Sequence, residues 1–370
     1  MLIIPYVMTI IMSMYTKNKK YNWGIYTFIL CFLLWTSKGT YTDFEGYYNI
    51  FERINATGTN SVGATPGWFL LCRLCGMAGF NYYGMSLVLT FLSCLLLHKL
   101  FSKFEANENI IWAVMLVFPL LINGIQIRFF LAMSIITFGL KYLIFDNKFA
   151  IIKFCICVIV ATTIHSAAAI FIVIILALIY EKFSTKTNIL ITIIFFAMTV
   201  VGVWLVPKIA KVYLYQSQYD RYIANSYTTT SLKWTLAIIV CWLITLFLLK
   251  IINFITPTDI RKKYSEMGYS VVHKRMFNIT FLLGLTLPLL IYDRNFHRFI
   301  QLGYIIDAIA LGIFWEHVRF KKNNSNISGK RLAYILFLIF LIPAVYSFEF
   351  IPFNTIAPLF KITGFPSIFR

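Results

Sequence analysis

The sequence predicts an all-α, polytopic integral membrane protein with about 12 transmembrane helices and two larger external loops. Composition is the first ground: 60% of the 370 residues are hydrophobic and only 13% are charged, against roughly 25% charged in soluble proteins, and mean hydropathy is +0.78. The second is spacing, because apolar runs of about 15–23 residues recur along the chain between short charged stretches, each long enough to cross hydrocarbon. The third is charge placement: Lys and Arg gather in alternate connections between those runs. No polar stretch is long enough to fold alone, so residues 1–370 read as a single multi-helix membrane domain.

Taken in order, the run 2–15 has no basic residue before it and no small-residue cleavage site, so it reads as a retained helix and not a signal peptide. Lys17, Lys19 and Lys20 separate it from 21–37, after which 37–66 is polar enough to be an external loop. The runs 82–101 and 109–122 flank Lys99 and Lys103. Arg128 opens 127–146, and Lys141, Lys148 and Lys153 lead into 149–163. His165 sits between that run and 166–180, although one long tilted helix satisfies the same pattern. Beyond Lys182 and Lys186 come 188–206, a second external loop at 207–231, and 232–254. A basic piece at 256–275 with Pro257, Arg261, Lys262 and Lys263 precedes 276–292; a short turn leads to 298–318, and 332–348 follows Arg319 to Arg331.

These alternate connections carry most of the 33 basic residues, which places them in the cytoplasm. The net charge of +19 is therefore mainly a topogenic signal. Dispersed over many short loops, it forms no single stripe of the kind nucleic acid requires. The opposite face receives 37–81, 123–127, the turn at His165, 207–231, 293–298 and the tail from about Phe348. The two long loops are candidate lids or substrate-binding elements, since long loops in compact proteins commonly carry function.

Several chemistries are unsupported. The histidines at 98, 165, 273, 297 and 317 show no metal-ligand spacing, so no metal and no cofactor is expected. No G-x-x-x-x-G-K-[ST] loop is present to bind ATP phosphates. Cys72 and Cys75 form a C-x-x-C without a second pair or a nearby histidine, and they read as inert apolar cysteines. No internal repeat is visible.

Residues 122–134, INGIQIRFFLAMS, pose a sharper problem. A guanidinium at a bilayer centre costs ~2.5–3.5 kcal/mol on insertion scales. Arg128 therefore either snorkels to the headgroups or faces an anion. His165 reads either as a hydrogen-bonded core histidine or as a proton acceptor. Asp43 and Glu45 either order their loop or act on substrate, and Tyr47, Tyr48 and Phe51 suit either the membrane interface or sugar stacking. Arg294, His297 and Arg298, in YDRNFHR, lie on an external connection where positive-inside bias disfavours arginine, which points to an anionic ligand. Arg221 adjoins Asp220, so a local ion pair accounts for it as well as substrate does.

Four stretches occur in a telling order: KGTYTDFEGYYNIFERI (38–54), TPGWFLL (65–71), IRFFLA (127–132) and ATTIHSAAAIF (161–171). Together they resemble the Wzy-type polysaccharide polymerases, in particular the EpsG-like branch. That family's pattern has a Gly-x-Asp-Tyr loop with spaced Tyr and Phe, a Glu-Pro-Gly-aromatic start, an Ile-Arg-Gln-x-Leu-Ala helix and a His-x-Ser/Ala helix. Here two extra residues precede Asp43, Thr65 replaces the acid before Pro66, and Phe129 replaces the glutamine after Arg128.

The resemblance implies a metal-independent membrane glycosyltransferase of the bacterial inner membrane, its active site facing the periplasm or exterior. Its substrate would be undecaprenyl-pyrophosphate-linked oligosaccharide, with membrane lipid around it and a chain-length regulator and a flippase as candidate partners. Arg128 would stabilise the pyrophosphate leaving group, and His165 or Asp43 would take the acceptor hydroxyl's proton. Arg294, Arg298, His297, Glu45, Tyr47, Tyr48 and Arg221 would bind substrate, with Arg128, Arg294 and Arg298 converging on one pocket. Two other readings compete: a lipid-linked oligosaccharide flippase or exporter, which would carry charges along a midplane cavity, and a sugar-modifying membrane acyltransferase. The gathering of ionisable residues at one face favours the polymerase.

Overall fold

The structure, a computed structural model, describes residues 3–16, 26–27, 29–30, 42–60, 63–104, 108–118, 120, 126–145, 148–183, 185–213, 232–256, 269–291, 294–320, 335–342 and 369. Among these residues there is no strand, and one isolated bridge pairs Phe80 with Phe369. The helices are α1 (Ile3–Tyr15), α2 (Thr42–Thr57), α3 (Pro66–Met77), α4 (Tyr82–Phe101), α5 (Glu108–Val117), α6 (Ile127–Phe145) and α7 (Ala150–Ile164). A 3-10 segment (Ser166–Ile175) runs into α8 (Leu176–Tyr180), followed by α9 (Thr185–Tyr213), α10 (Leu232–Ile255) and α11 (Tyr269–Leu283). Two further 3-10 segments, Gly284–Ile291 and Arg294–Ile300, lead to α12 (Gln301–Phe320).

Among the described residues, four stretches are long and apolar enough to cross a membrane: Tyr82–Phe101, Ile127–Phe145, Thr235–Ile255 and Phe296–Trp315. Shorter apolar helices occupy Ile3–Met14, Glu108–Val117, Ala150–Ile164 and Ser166–Tyr180. The chain is thus an all-helical, multi-pass membrane protein. Its exposed Leu, Ile, Val and Phe side chains on α7, α9 and α10 are what a lipid-facing surface requires.

The expected 37–66 loop differs most. Residues 42–57 form α2, because Phe44, Phe51 and Ile54 recur at helical spacing and are buried at 8%, 0% and 0% exposure. Asp43 and Glu45 fall in its first turn, where carboxylates suit the positive helix end. The expected turn at 293–298 is likewise helical from Arg294 onward, since Phe299 and Ile300 pack inward. Helix α9 continues to Tyr213, seven residues into the expected second loop; residues 214–231 of that loop, Arg221 included, lie outside the described residues.

The chain divides into two compact units, the first comprising Met1–Tyr142, Asp146–Ala169 and Ala308–Arg370, the second Leu143–Phe145 and Ile170–Asp307. In the first unit Tyr6 donates its hydroxyl to the Leu116 carbonyl, tying α1 to α5. Asn55 ties α2 to α3 by donating to the carbonyls of Phe51 (2.9 Å) and Cys72 (3.2 Å). In the second unit Trp242 Nε1 donates to the Thr280 carbonyl at 2.9 Å, and Gly284 leaves room for that indole. Arg275, 5% exposed on α11, makes a bidentate pair with Glu181 at 2.7 and 3.0 Å and also donates to the Leu143 and Ile144 carbonyls at 3.1 Å. These contacts make Arg275 a structural clamp.

Candidate active site

Because α6 starts at Ile127, Arg128 stands in its first turn, where unsatisfied N–H groups and the helix dipole favour an anion over a cation. The opposite helix end supplies the counterpart. Helix α7 stops at Ile164, and that residue's carbonyl accepts Arg128 Nε–H at 2.7 Å. Thr65 completes the triangle: its hydroxyl donates to the same carbonyl at 2.7 Å and accepts Arg128 Nη2–H at 2.9 Å. The guanidinium carbon also lies 5.7 Å from the Trp68 ring centroid, within cation–π range. Arg128 is therefore held by contacts within the protein.

Local sequence explains each arm. Thr65 is the N-cap residue of α3, but its side chain makes no cap bond to that helix, which opens with Pro66. The hydroxyl is left to face Ile164 and Arg128. Gly67 allows this approach, since a Cβ there would lie 2.9 Å from the Thr163 backbone carbonyl. Helix α7 ends because His165 is extended (φ −139°, ψ 111°), with its N–H still bonded to the Ala161 carbonyl at 2.8 Å. Thr162 and Thr163 turn their hydroxyls back onto the Val158 and Val160 carbonyls, as helix-terminal threonines commonly do.

His165 is half-buried and meets Phe129 edge-on with ring centroids 5.2 Å apart. The structure thus brings Arg128 and His165 to neighbouring positions, Arg128 on the Ile164 carbonyl and His165 on the ring of Phe129, the residue after Arg128. Tyr47 packs on Trp68 at 5.7 Å, which adds α2 to the same neighbourhood. Tyr48 is exposed and stacks on Phe44 at 6.1 Å, beside Tyr82 at 5.9 Å, and Glu45 is exposed. Asp43 is placed by its helix, with its side chain outside the described residues. In the second unit Arg294, His297 and Arg298 share the segment Arg294–Ile300; His297 and Arg298 are half-buried, and Phe299 is wedged between Phe296 at 5.6 Å and Phe171 at 5.5 Å.

Thr65 and Trp68 are the residues that sequence reasoning passed over. Thr65 entered only as a departure from a pattern, because a threonine before a helix start is expected to cap that helix and not to reach another. Burial pushes the Cys72 thiol up to about 12, the neighbouring Cys75 adding to the effect, and burial raises Cys75 as well. Neither is poised as a nucleophile. Among the described residues no three His, Cys, Asp or Glu side chains gather to hold a metal ion.

The Ile164 carbonyl, the Thr65 hydroxyl and the Trp68 ring hold this guanidinium at the start of a long apolar helix, in a fold that is helical and multi-pass. The class these features define is a helical membrane protein with a fixed cationic site at one helix end. The chain belongs to the EpsG family, whose model matches residues 20–357, a family of Wzy-like polysaccharide polymerases. That membership implies glycosyltransferase-type polymerase activity. No curated protein and no solved structure matches the chain.

Proposed function

We propose that this protein polymerises lipid-linked oligosaccharide repeat units at the external face of the bacterial inner membrane, with about 12 crossings in all. The acceptor unit's sugar hydroxyl attacks the anomeric carbon of the growing chain. As that C–O bond forms, the bond from the anomeric carbon to undecaprenyl pyrophosphate breaks, and the pyrophosphate leaves with the electron pair. The hydroxyl's proton passes to a general base, His165 or Asp43. Arg128 meets the charge developing on the leaving group; a guanidinium already fixed by Thr65 and Ile164 needs no reorganisation to do so. Arg294, His297 and Arg298 serve phosphate by the same chemistry, and Tyr47, Tyr48 and Glu45 serve sugar. Arg221 is assigned to substrate on its sequence position alone.

The observation that supports this most is the Arg128–Thr65–Ile164 triangle, because it presents cationic charge at a helix N-terminus, where an anion gains from both. Arg128→Lys tests it. Lysine keeps the charge but loses the planar fork. At equal membrane expression, polymer formation should fall by about one to three orders of magnitude, corresponding to ~2–4 kcal/mol of lost anion stabilisation. Normal polymer yield and length would reduce Arg128 to a helix tie. In cells lacking the gene, single lipid-linked units should accumulate; loss of external units would instead favour the flippase.

A further inference from the structure

Trp68 is the least explained residue of the Arg128 neighbourhood. Its side chain is 0% exposed, yet its Nε1–H donates to no acceptor among the described residues. A donor buried in this way gives up its bonds to water and gains nothing in return. Elsewhere the chain meets the same demand. Trp112 Nε1 donates to Glu108 Oε1 at 3.0 Å, and Trp242 Nε1 donates to the Thr280 carbonyl at 2.9 Å. A buried orphan in a native fold calls for a physical cause, and a ligand that binds at that point is one.

The position of Trp68 supplies the cause. It follows Thr65 by three residues, so the two stand on one face at the start of α3. Thr65 accepts from Arg128 at 2.9 Å, and the guanidinium carbon lies 5.7 Å from the Trp68 ring centroid. The orphan N–H therefore belongs to the ring that stands against the fixed cation. A pyrophosphate, with two phosphate groups accepting at ~2.8–3.0 Å, is large enough to reach both. Tyr47 of α2 packs on the same indole with centroids 5.7 Å apart and is itself half-buried, so a ligand that reaches the N–H displaces this ring.

We propose that Trp68 is a pyrophosphate-binding residue, its Nε1–H donating to one oxygen of the lipid-linked donor's pyrophosphate while Arg128 engages the others. This rests on the reading of Arg128 given above. An indole donor adds direction to the grip without adding charge, so it avoids the repulsion that a second cation beside Arg128 would bring. Because the N–H is unpaired in the free protein, its bond forms only when the anion is present. The N–H should therefore add to affinity and nothing to the stability of the empty protein.

Replacing Trp68 by benzothienylalanine, which keeps the bicyclic ring and puts sulfur where the N–H stood, tests this in the full chain purified in detergent. Titration calorimetry with farnesyl pyrophosphate should show affinity falling by about tenfold to a hundredfold, while the melting temperature of the unliganded protein holds or rises. The same replacement at Trp112, whose N–H is already bonded, should lower the melting temperature and leave the affinity unchanged. Unchanged affinity in the Trp68 protein would overturn the proposal. So would a lowered melting temperature or a failure to fold, since the N–H would then be holding the empty protein together. Inorganic pyrophosphate should bind more weakly than farnesyl pyrophosphate; tighter binding would make the ligand a free anion and overturn the proposal as well. Polymer yield in Arg128→Lys tests the underlying reading by itself, so the two can fail separately.

Discussion

Thr65 shows how a single hydroxyl can determine what an arginine does. Facing both the Ile164 carbonyl and Arg128, it joins two helix ends and steers the guanidinium. Thr65→Val keeps the shape but removes one of two donors to the Ile164 carbonyl and the acceptor of Arg128 Nη2–H, at a cost of about 1–3 kcal/mol. Polymer yield should therefore fall by about one to two orders of magnitude in Thr65→Val while Thr65→Ser stays near wild type, as gel analysis of extracted polymer would show. Equal yields in both would mean that Arg128 orients itself. Cys72 offers a check on burial. A thiol pushed up to about 12 stays protonated throughout the range where an ordinary thiol ionises, and only the thiolate reacts with maleimide. At pH 9 Cys72 would be ionised to only about one part in a thousand, so labelling of native protein should spare it and begin only on denaturation or near pH 12.

Helix crossings depend on residues that carry no charge at all. Gly67 lets α3 touch the end of α7, and a methyl group there would press on Thr163. Gly67→Ala should separate the two helices, lowering thermal stability by about 1–3 kcal/mol and removing polymerase activity along with it. If activity survives with stability reduced, the α3–α7 contact is structural only. Arg275 has the opposite character, because its value lies in charge. Removing it strands Glu181, 20% exposed, and two helix-end carbonyls. Arg275→Met should destabilise the protein by about 3–5 kcal/mol, whereas the same change at the exposed Lys182 should be near neutral; unfolding in detergent measures both.

For the molecule as a whole, orientation is the property on which the functional reading rests. A reporter fused near Lys262 should score cytoplasmic and one near Tyr219 external; the reverse would put Arg128 and His165 in the wrong compartment for an external polymerase. What the sequence determined by itself was the helical membrane class, the family, and apolar helices such as 82–101, matched to the residue, and 127–146, matched to within one, because hydrocarbon demands long apolar runs whatever their neighbours. It also singled out Arg128 and His165, since an arginine in such a run is costly enough to stand out. Tertiary structure alone decided that α2 is a helix, because the burial of Phe44, Phe51 and Ile54 against other helices outweighs a polar composition that reads as loop. Tertiary structure alone also revealed Thr65 and Ile164 as the partners of Arg128, because backbone carbonyls leave no trace in a sequence and contacts between residues tens of positions apart exist only once the helices pack.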